Sequence, residues 1–195
     1  QLPIFLTLKG QPCLVVGGGE VAVRKVRQLL AAGADVTVNS PQLASDLQQL
    51  LDEKRITAVL HPFDASLIDS HLLVIAATSD RAVNHAVAAA AHQALRLRNA
   101  VDDPAHSSFI SPSIVDRSPL IVAISSGGRA PVLARMLRQQ LERWLPLRLG
   151  ALANWAGQWR DTIKARLPDI AARRLFWERA FNGTLSGHVL AGRML

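Results

Sequence analysis

Three clusters of residues in this 195-residue chain have types and spacing that can do chemistry. Gly17, Gly19 and Ala22 fit G-x-G-x-x-G/A, with Gly18 between the first two and Glu20 and Val21 after them. In such a turn the first glycine permits the tight exit from a strand. The second lets a pyrophosphate approach the backbone, and the small third residue brings the following helix close to the sheet. The second cluster is Asn99-Ala100-Val101-Asp102-Asp103-Pro104. Adjacent carboxylates on extended backbone point apart, so one of the pair faces a cleft, where it can take a proton or steer a metal ion. An Asx-type turn ahead of Pro104 is the plainer reading of the same residues. The third is Ser125-Ser126-Gly127-Gly128, ahead of Arg129. Serines and glycines before a helix form an anion nest or a cradle for a substrate carboxylate. No G-x-S-x-G elbow surrounds them, which argues against a nucleophilic serine.

The elements that must position these residues follow from periodicity. Apolar runs at 14–16, 36–38, 56–60 and 72–76 read as strands, with 95–97 as a fifth. Amphipathic stretches at 21–32, 42–53 and 81–94 read as the intervening helices. Alternation of this kind implies an α/β fold with a Rossmann-type parallel sheet and right-handed crossovers. Beyond Asn99 the pattern changes to short strand-like runs at 107–110, 113–116 and 120–125, then a helix over 131–145 with proline in its first turn. Residues 149–195 read as helical, broken near Leu167-Pro168 and Asn182-Gly183. The expected division is a nucleotide domain over 1–112, a small segment with short strands over 113–145 and a helical domain over 146–195.

Side chains at the carboxyl ends of the strands refine the ligand. Strand two ends at Asn39, which can bond a ribose hydroxyl without repelling a 2′-phosphate, so this position leaves NAD and NADP open. The small residues around Thr78 after strand four leave room for a ring system, with capping of the next helix by Thr78 or Ser79 as the plainer role. The six histidines show no H-x-x-x-H or H-E-x-x-H pair, and no metal site is expected, although His106 is close in sequence to Asp102. One cysteine, Cys13, excludes an internal disulfide framework and a multi-cysteine metal site, and a reducing cytoplasm fits that usage. The N-terminal residues lack the pattern of a secretory signal.

Composition narrows the partners. The formal net charge of +7 favours anionic ligands. Aromatic residues are only 5% of the chain, too few to interleave with basic residues as a single-strand nucleic-acid surface requires. No apolar stretch has the length of a membrane span. The expectation is therefore a polyanionic small molecule, with neither nucleic acid nor membrane.

Taken together, these motifs resemble the N-terminal half of bacterial siroheme synthase. The resemblance runs from Leu2-Pro3-Ile4-Phe5 to Phe176-Trp177-Glu178. It rests on residues 15–25, Ile75-Ala76-Ala77-Thr78, residues 99–104, Ser108-Phe109-Ile110, Pro112-Ser113-Ile114, Asp116-Arg117-Ser118-Pro119-Leu120 and residues 125–128. The resemblance implies a homodimer, with 113–145 as its dimerisation segment, that uses NAD to oxidise precorrin-2 to sirohydrochlorin and then inserts ferrous iron to give siroheme. It implies the key aspartate at Asp102, a phosphate-carrying serine at Ser126, and NAD contacts at Glu20, Val21, Pro41 and Gln42. Ala100, where the family more often has valine, and the added charge of Arg98 depart from the pattern. Two alternatives share the motifs: a dehydrogenase lacking chelatase activity, and a non-catalytic NAD- or tetrapyrrole-binding module.

Overall fold

In a computed structural model, five strands form one parallel sheet in the order β3-β2-β1-β4-β5. They are β1 (Pro12–Val16), β2 (Asp35–Asn39), β3 (Thr57–Val59), β4 (Leu73–Ala76) and β5 (Leu97–Ala100). The connecting helices are α1 (Glu20–Ala31), α2 (Ser45–Asp52) and α3 (Arg81–Gln93), with a 3-10 turn at Ala65–Ile68 between β3 and β4. The structure describes residues 1–192. Residues 193–195, the end of the expected helical stretch and of the third expected domain, lie outside the described residues.

β1 and β4 are apolar on both faces because helices cover both. Cys13 and Val15 face a cluster with Val23, Val26 and Leu29 of α1, while Leu14 and Val16 face one with Val87 and Ala91 of α3. Each fully buried valine or leucine in these layers contributes about 1.5–3 kcal/mol relative to exposure. Burial, with Asp35 nearby, pushes the Cys13 thiol up to about 11, so this side chain is a core hydrophobe and not a nucleophile. Ala22 is fully buried against the sheet, as a small third motif residue requires.

Two local expectations need correction. The fifth strand is Leu97–Ala100, not 95–97: Leu95 is exposed with φ of 56°, in the turn that ends α3. Residues 107–110 form no strand. They run beside β5, where one backbone bond, from the Ser108 N–H to the Arg98 carbonyl at 2.8 Å, is joined by side-chain bonds in place of a regular ladder. The Arg98 and Ala100 N–H groups donate to the Ser108 and Ser107 hydroxyls, and the Asn99 amide donates to the Phe109 carbonyl at 2.9 Å.

The chain divides into two compact units, Gln1–Ile110 and the remainder from Ser111. Both the 113–145 and 146–195 segments of the expected division fall in the second. That unit holds an antiparallel hairpin, β6 (Ser113–Arg117) and β7 (Leu120–Ile124), then α4 (Pro131–Trp144), α5 (Leu149–Arg166), α6 (Ile170–Asn182) and α7 (Thr184–Leu190). The two expected helix breaks fall between α5 and α6 and between α6 and α7. Arg117 ties the hairpin to α4 by donating to the Glu142 carbonyl at 2.9 Å. Trp155 of α5 meets Trp177 of α6 edge-on, and Phe181 stacks on Trp177.

Candidate nucleotide and carboxylate site

The strand order reverses between β1 and β4, and ligands of open parallel sheets bind at the carboxyl edge of that switch point. Gly17, Gly18 and Gly19 lie there, held from both sides. The Gly17 N–H donates to the Asn39 carbonyl at 2.9 Å, and the Ala44 N–H donates to the Gly18 carbonyl at 2.8 Å. Gly17 has φ of 132°, and a Cβ on it would meet the Ala77 carbonyl; one on Gly18 would run into the Gln42 carbonyl. Both glycines are forced by packing. Gly19 differs: a Cβ there would meet nothing within 4 Å, so the space above it is open. The first helical bond of α1 runs from the Val23 N–H to the Gly19 carbonyl at 3.0 Å, and no side chain caps the helix. The N–H groups of Glu20, Val21 and Ala22 therefore have no partner in the helix and face this opening at its positive end. A dinucleotide pyrophosphate fits an open, glycine-floored, uncapped helix start of this kind.

The flanking loops hold the other expected cofactor residues. Pro41 and Gln42 are exposed beside Gly18, the Gln42 carbonyl accepting from the Ser40 hydroxyl at 2.7 Å. Asn39 is placed otherwise than expected for a ribose ligand. It is 1% exposed, and its amide donates to the Val59 and His61 carbonyls at 3.0 and 2.8 Å. The side chain thus ties the ends of β2 and β3 together, and its Oδ1 is buried without a partner. Thr78 and Ser79 do not cap α3 either; the Asp80 carboxylate does, accepting from the Ala82 and Val83 N–H groups. Thr78 is fixed by Asn84, a buried residue of α3 that bonds its N–H, its hydroxyl and its carbonyl. Asn84 escaped the sequence reading. Its signal was a lone amide among the buried positions of α3, beside Val87, Ala88 and Ala91.

Past β5 the chain turns sharply. The Val101 N–H still donates to Ala76, extending the sheet, and Asp102 then adopts φ of 59°, a conformation aspartate tolerates better than most residues. Asp102 is exposed at the same edge as the glycine turn. Its charge reaches Lys25 of α1. Burial and the neighbouring Arg24 push the Lys25 ammonium below its ordinary value, and Asp102 pulls it back up. The two carboxylates part company, but not on the extended backbone expected: the left-handed turn at Asp102 separates them. Asp103 turns back to accept from the His106 N–H at 3.3 Å, starting the 3-10 turn Pro104–His106, and its Oδ2 meets His85 and His106. Partial burial pushes Asp103 up, but the hydrogen bonds from His106 and His85 outweigh it and hold this carboxyl below its usual range. The turn before Pro104 and a free carboxylate are therefore both present, on different residues.

In the second unit, residues 125–128 form a tight loop ahead of α4. The Ser125 hydroxyl accepts from the Gly127 N–H at 3.0 Å, and that of half-buried Ser126 accepts from the Ala130 N–H at 2.9 Å. Gly127 and Gly128 take φ of 65° and 80°.

Three family models match consecutive segments of the chain between residues 4 and 194. A family of putative NAD(P)-binding proteins matches residues 4–113, the sirohaem biosynthesis protein central region matches 117–143, and the sirohaem synthase dimerisation region matches 148–194. The siroheme synthase of Tolumonas auensis is 54% identical over 180 residues, which are 92% of this chain and 38% of that protein. That of Photorhabdus laumondii subsp. laumondii is 50% identical over 193 residues, 99% of this chain and 41% of that protein. The chain thus spans about two fifths of the length of these curated relatives. A solved structure titled SirC, precorrin-2 dehydrogenase, has the same fold, with a TM-score of 0.79 at 21% identity, covering 95% of this chain and 92% of that one.

Proposed function

The chain belongs to the family of putative NAD(P)-binding proteins and carries after that domain the sirohaem-synthase central and dimerisation segments, and on this premise we propose that it catalyses two consecutive steps of siroheme formation. The first is NAD-dependent oxidation of precorrin-2 to sirohydrochlorin. The second is insertion of ferrous iron, a substrate, to give siroheme. The observation that carries this reading is the meeting, at one sheet edge, of an open glycine turn and an exposed carboxylate whose charge reaches Lys25 of the helix that follows the turn.

NAD supplies the hydride acceptor when bound. The turn at Gly17, Gly18 and Gly19, with the N–H groups of Glu20 and Val21, would hold its pyrophosphate, and Pro41, Gln42 and Thr78 would contribute further contacts. Asn39 acts by fixing the β2–β3 edge and not as a direct donor to the ribose. Asp102 takes the proton that leaves the substrate as the hydride departs. During metal insertion the same carboxylate receives pyrrole N–H protons as iron enters. The net charge of +7 draws in a substrate bearing many carboxylates.

Residues 125–128 take a share in binding those carboxylates. On this reading Ser126 is also a point of control, since a phosphate there adds negative charge beside carboxylate-binding groups. Ser126→Asp should raise the precorrin-2 KM about tenfold, the equivalent of ~1.4 kcal/mol, and by more than Ser126→Ala, which removes the hydroxyl without adding charge. Steady-state oxidation assays at saturating NAD check this; equal KM values for Ser126→Asp and wild type would remove Ser126 from regulation.

We assign the chain to a homodimer. Val132, Leu133, Met136 and Leu137 of α4 and Ile114, Leu120 and Ile121 of the hairpin are large apolar side chains left exposed in the single chain, which suits surfaces buried against a second copy. Among the described residues no helix is long and apolar enough to cross a membrane.

Anaerobic incubation with precorrin-2 and NAD, followed by ferrous iron, tests the function directly by absorbance. The proposal expects the sirohydrochlorin spectrum first and the siroheme spectrum after iron. Oxidation without insertion would leave the dehydrogenase alone, and binding without turnover would leave a ligand-binding module.

A further inference from the structure

His85, Asp103 and His106 converge outside the residues assigned above. His85 Nε2 lies 3.1 Å and His106 Nδ1 2.7 Å from the same oxygen, Asp103 Oδ2, and the three ligand atoms all fall within 4.8 Å of one another. The two imidazoles stack with centroids 4.3 Å apart and planes 26° from parallel. Capping of the 3-10 turn by Asp103 uses its Oδ1 and the His106 backbone, so it needs neither ring. His85 comes from α3, eighteen residues away in sequence, so the convergence is a product of the fold.

From this geometry we propose that His85, Asp103 and His106 bind a divalent transition-metal ion of the iron, cobalt, nickel and zinc class. Two imidazoles and one carboxylate are a donor set such ions accept, with positions left open. Bonds of roughly 2.0–2.2 Å in tetrahedral arrangement place ligand atoms about 3.3–3.6 Å apart. The two contacts to Asp103 already approach that edge, and side-chain rotation supplies the rest. The N–H now shared with the carboxylate moves to the other nitrogen of each ring, which leaves the facing nitrogen free to ligate. The side chains of His85 and His106 are 50% and 47% exposed, so the remaining positions open to water. Three protein ligands at an open surface favour exchangeable binding over permanent storage. Asp102 is the neighbouring residue, so a metal held here stands at the entrance to the insertion chemistry; that role, unlike binding itself, rests on the chelatase reading.

The test is anaerobic titration of the whole chain with Co(II) or Fe(II) against a chromophoric chelator. One ion per chain is expected, with the visible Co(II) absorption of nitrogen and oxygen ligation. His85→Ala and His106→Ala should each weaken binding about tenfold or more, and His92→Ala, a surface histidine of the same helix, should not. Circular dichroism confirms that each variant is folded. Wild-type binding no tighter than that of His85→Ala, or equal weakening in His92→Ala, would overturn the site. A wild-type protein that binds the ion through these residues but inserts none would overturn the chelatase reading and uphold the site.

Discussion

Asp102→Asn should abolish oxidation of precorrin-2 and iron insertion together, while NAD binds as in wild type. Loss of a positioned general base lowers turnover about 10²–10⁴-fold. Asparagine is the informative replacement because the position has φ of 59°, which asparagine adopts readily, so the turn between β5 and Pro104 is kept. Asp102→Ala removes the carboxylate as well but adds backbone strain, and it serves as the harsher companion. Both rates are measured anaerobically on the same preparation, with NAD affinity by fluorescence titration. Loss of one activity alone would assign Asp102 to that step. Normal turnover in both would remove it from the mechanism.

Gly19→Asp should divide the two activities. A side chain at this position enters open space, and φ of −91° suits any residue, so the fold is undisturbed. The introduced carboxylate then occupies and repels the place of the pyrophosphate. NAD affinity should fall about 100-fold or more, an effect of ~3 kcal/mol or more from lost helix-terminus contacts and like-charge repulsion. Dehydrogenation disappears with it, whereas iron insertion into supplied sirohydrochlorin should remain within about twofold of wild type, since that step needs no nicotinamide. The neighbouring glycines make poor tests. A substitution at Gly17 or Gly18 would meet the backbone of Ala77 or Gln42 and report on folding instead. Loss of insertion in a folded Gly19→Asp protein would show that cofactor binding and chelation are coupled.

The parallel sheet and its glycine turn are legible in the amino-acid sequence. The β1–α1–β2 unit announces itself because an apolar run, a glycine turn and a helical period follow without interruption. The pair Asp102-Asp103 is visible past a strand, but the two diverge because Asp102 takes φ of 59° and not because the backbone is extended, so their spacing does not say which of them stays exposed. What escaped was set by contacts distant in sequence. Leu95 looks like strand and is instead in the exposed turn after α3, while Arg98 and Asn99 look polar yet lie in β5, where the Ser108 hydroxyl and the Phe109 carbonyl complete their bonding. Asn39 has the right type and place for a ribose ligand, but two carbonyls beyond β3 claim its amide. The His85–Asp103–His106 cluster has no sequence signature at all, because its members come from a helix, a cap and a turn that only the sheet brings together. In the second unit, the amphipathic pattern over 131–145 and the breaks near Leu167-Pro168 and Asn182-Gly183 mark out α4 to α7, whereas pattern alone cannot say which apolar face a second copy would cover.

The central claim is that one pocket beside Asp102 serves both reactions. The most direct test is inhibition of precorrin-2 oxidation by sirohydrochlorin, without iron and at saturating NAD. A shared pocket predicts purely competitive inhibition, with an inhibition constant equal to the dissociation constant of the sirohydrochlorin complex that goes on to take up iron. Non-competitive inhibition, or oxidation unaffected by sirohydrochlorin at many times that constant, would contradict it.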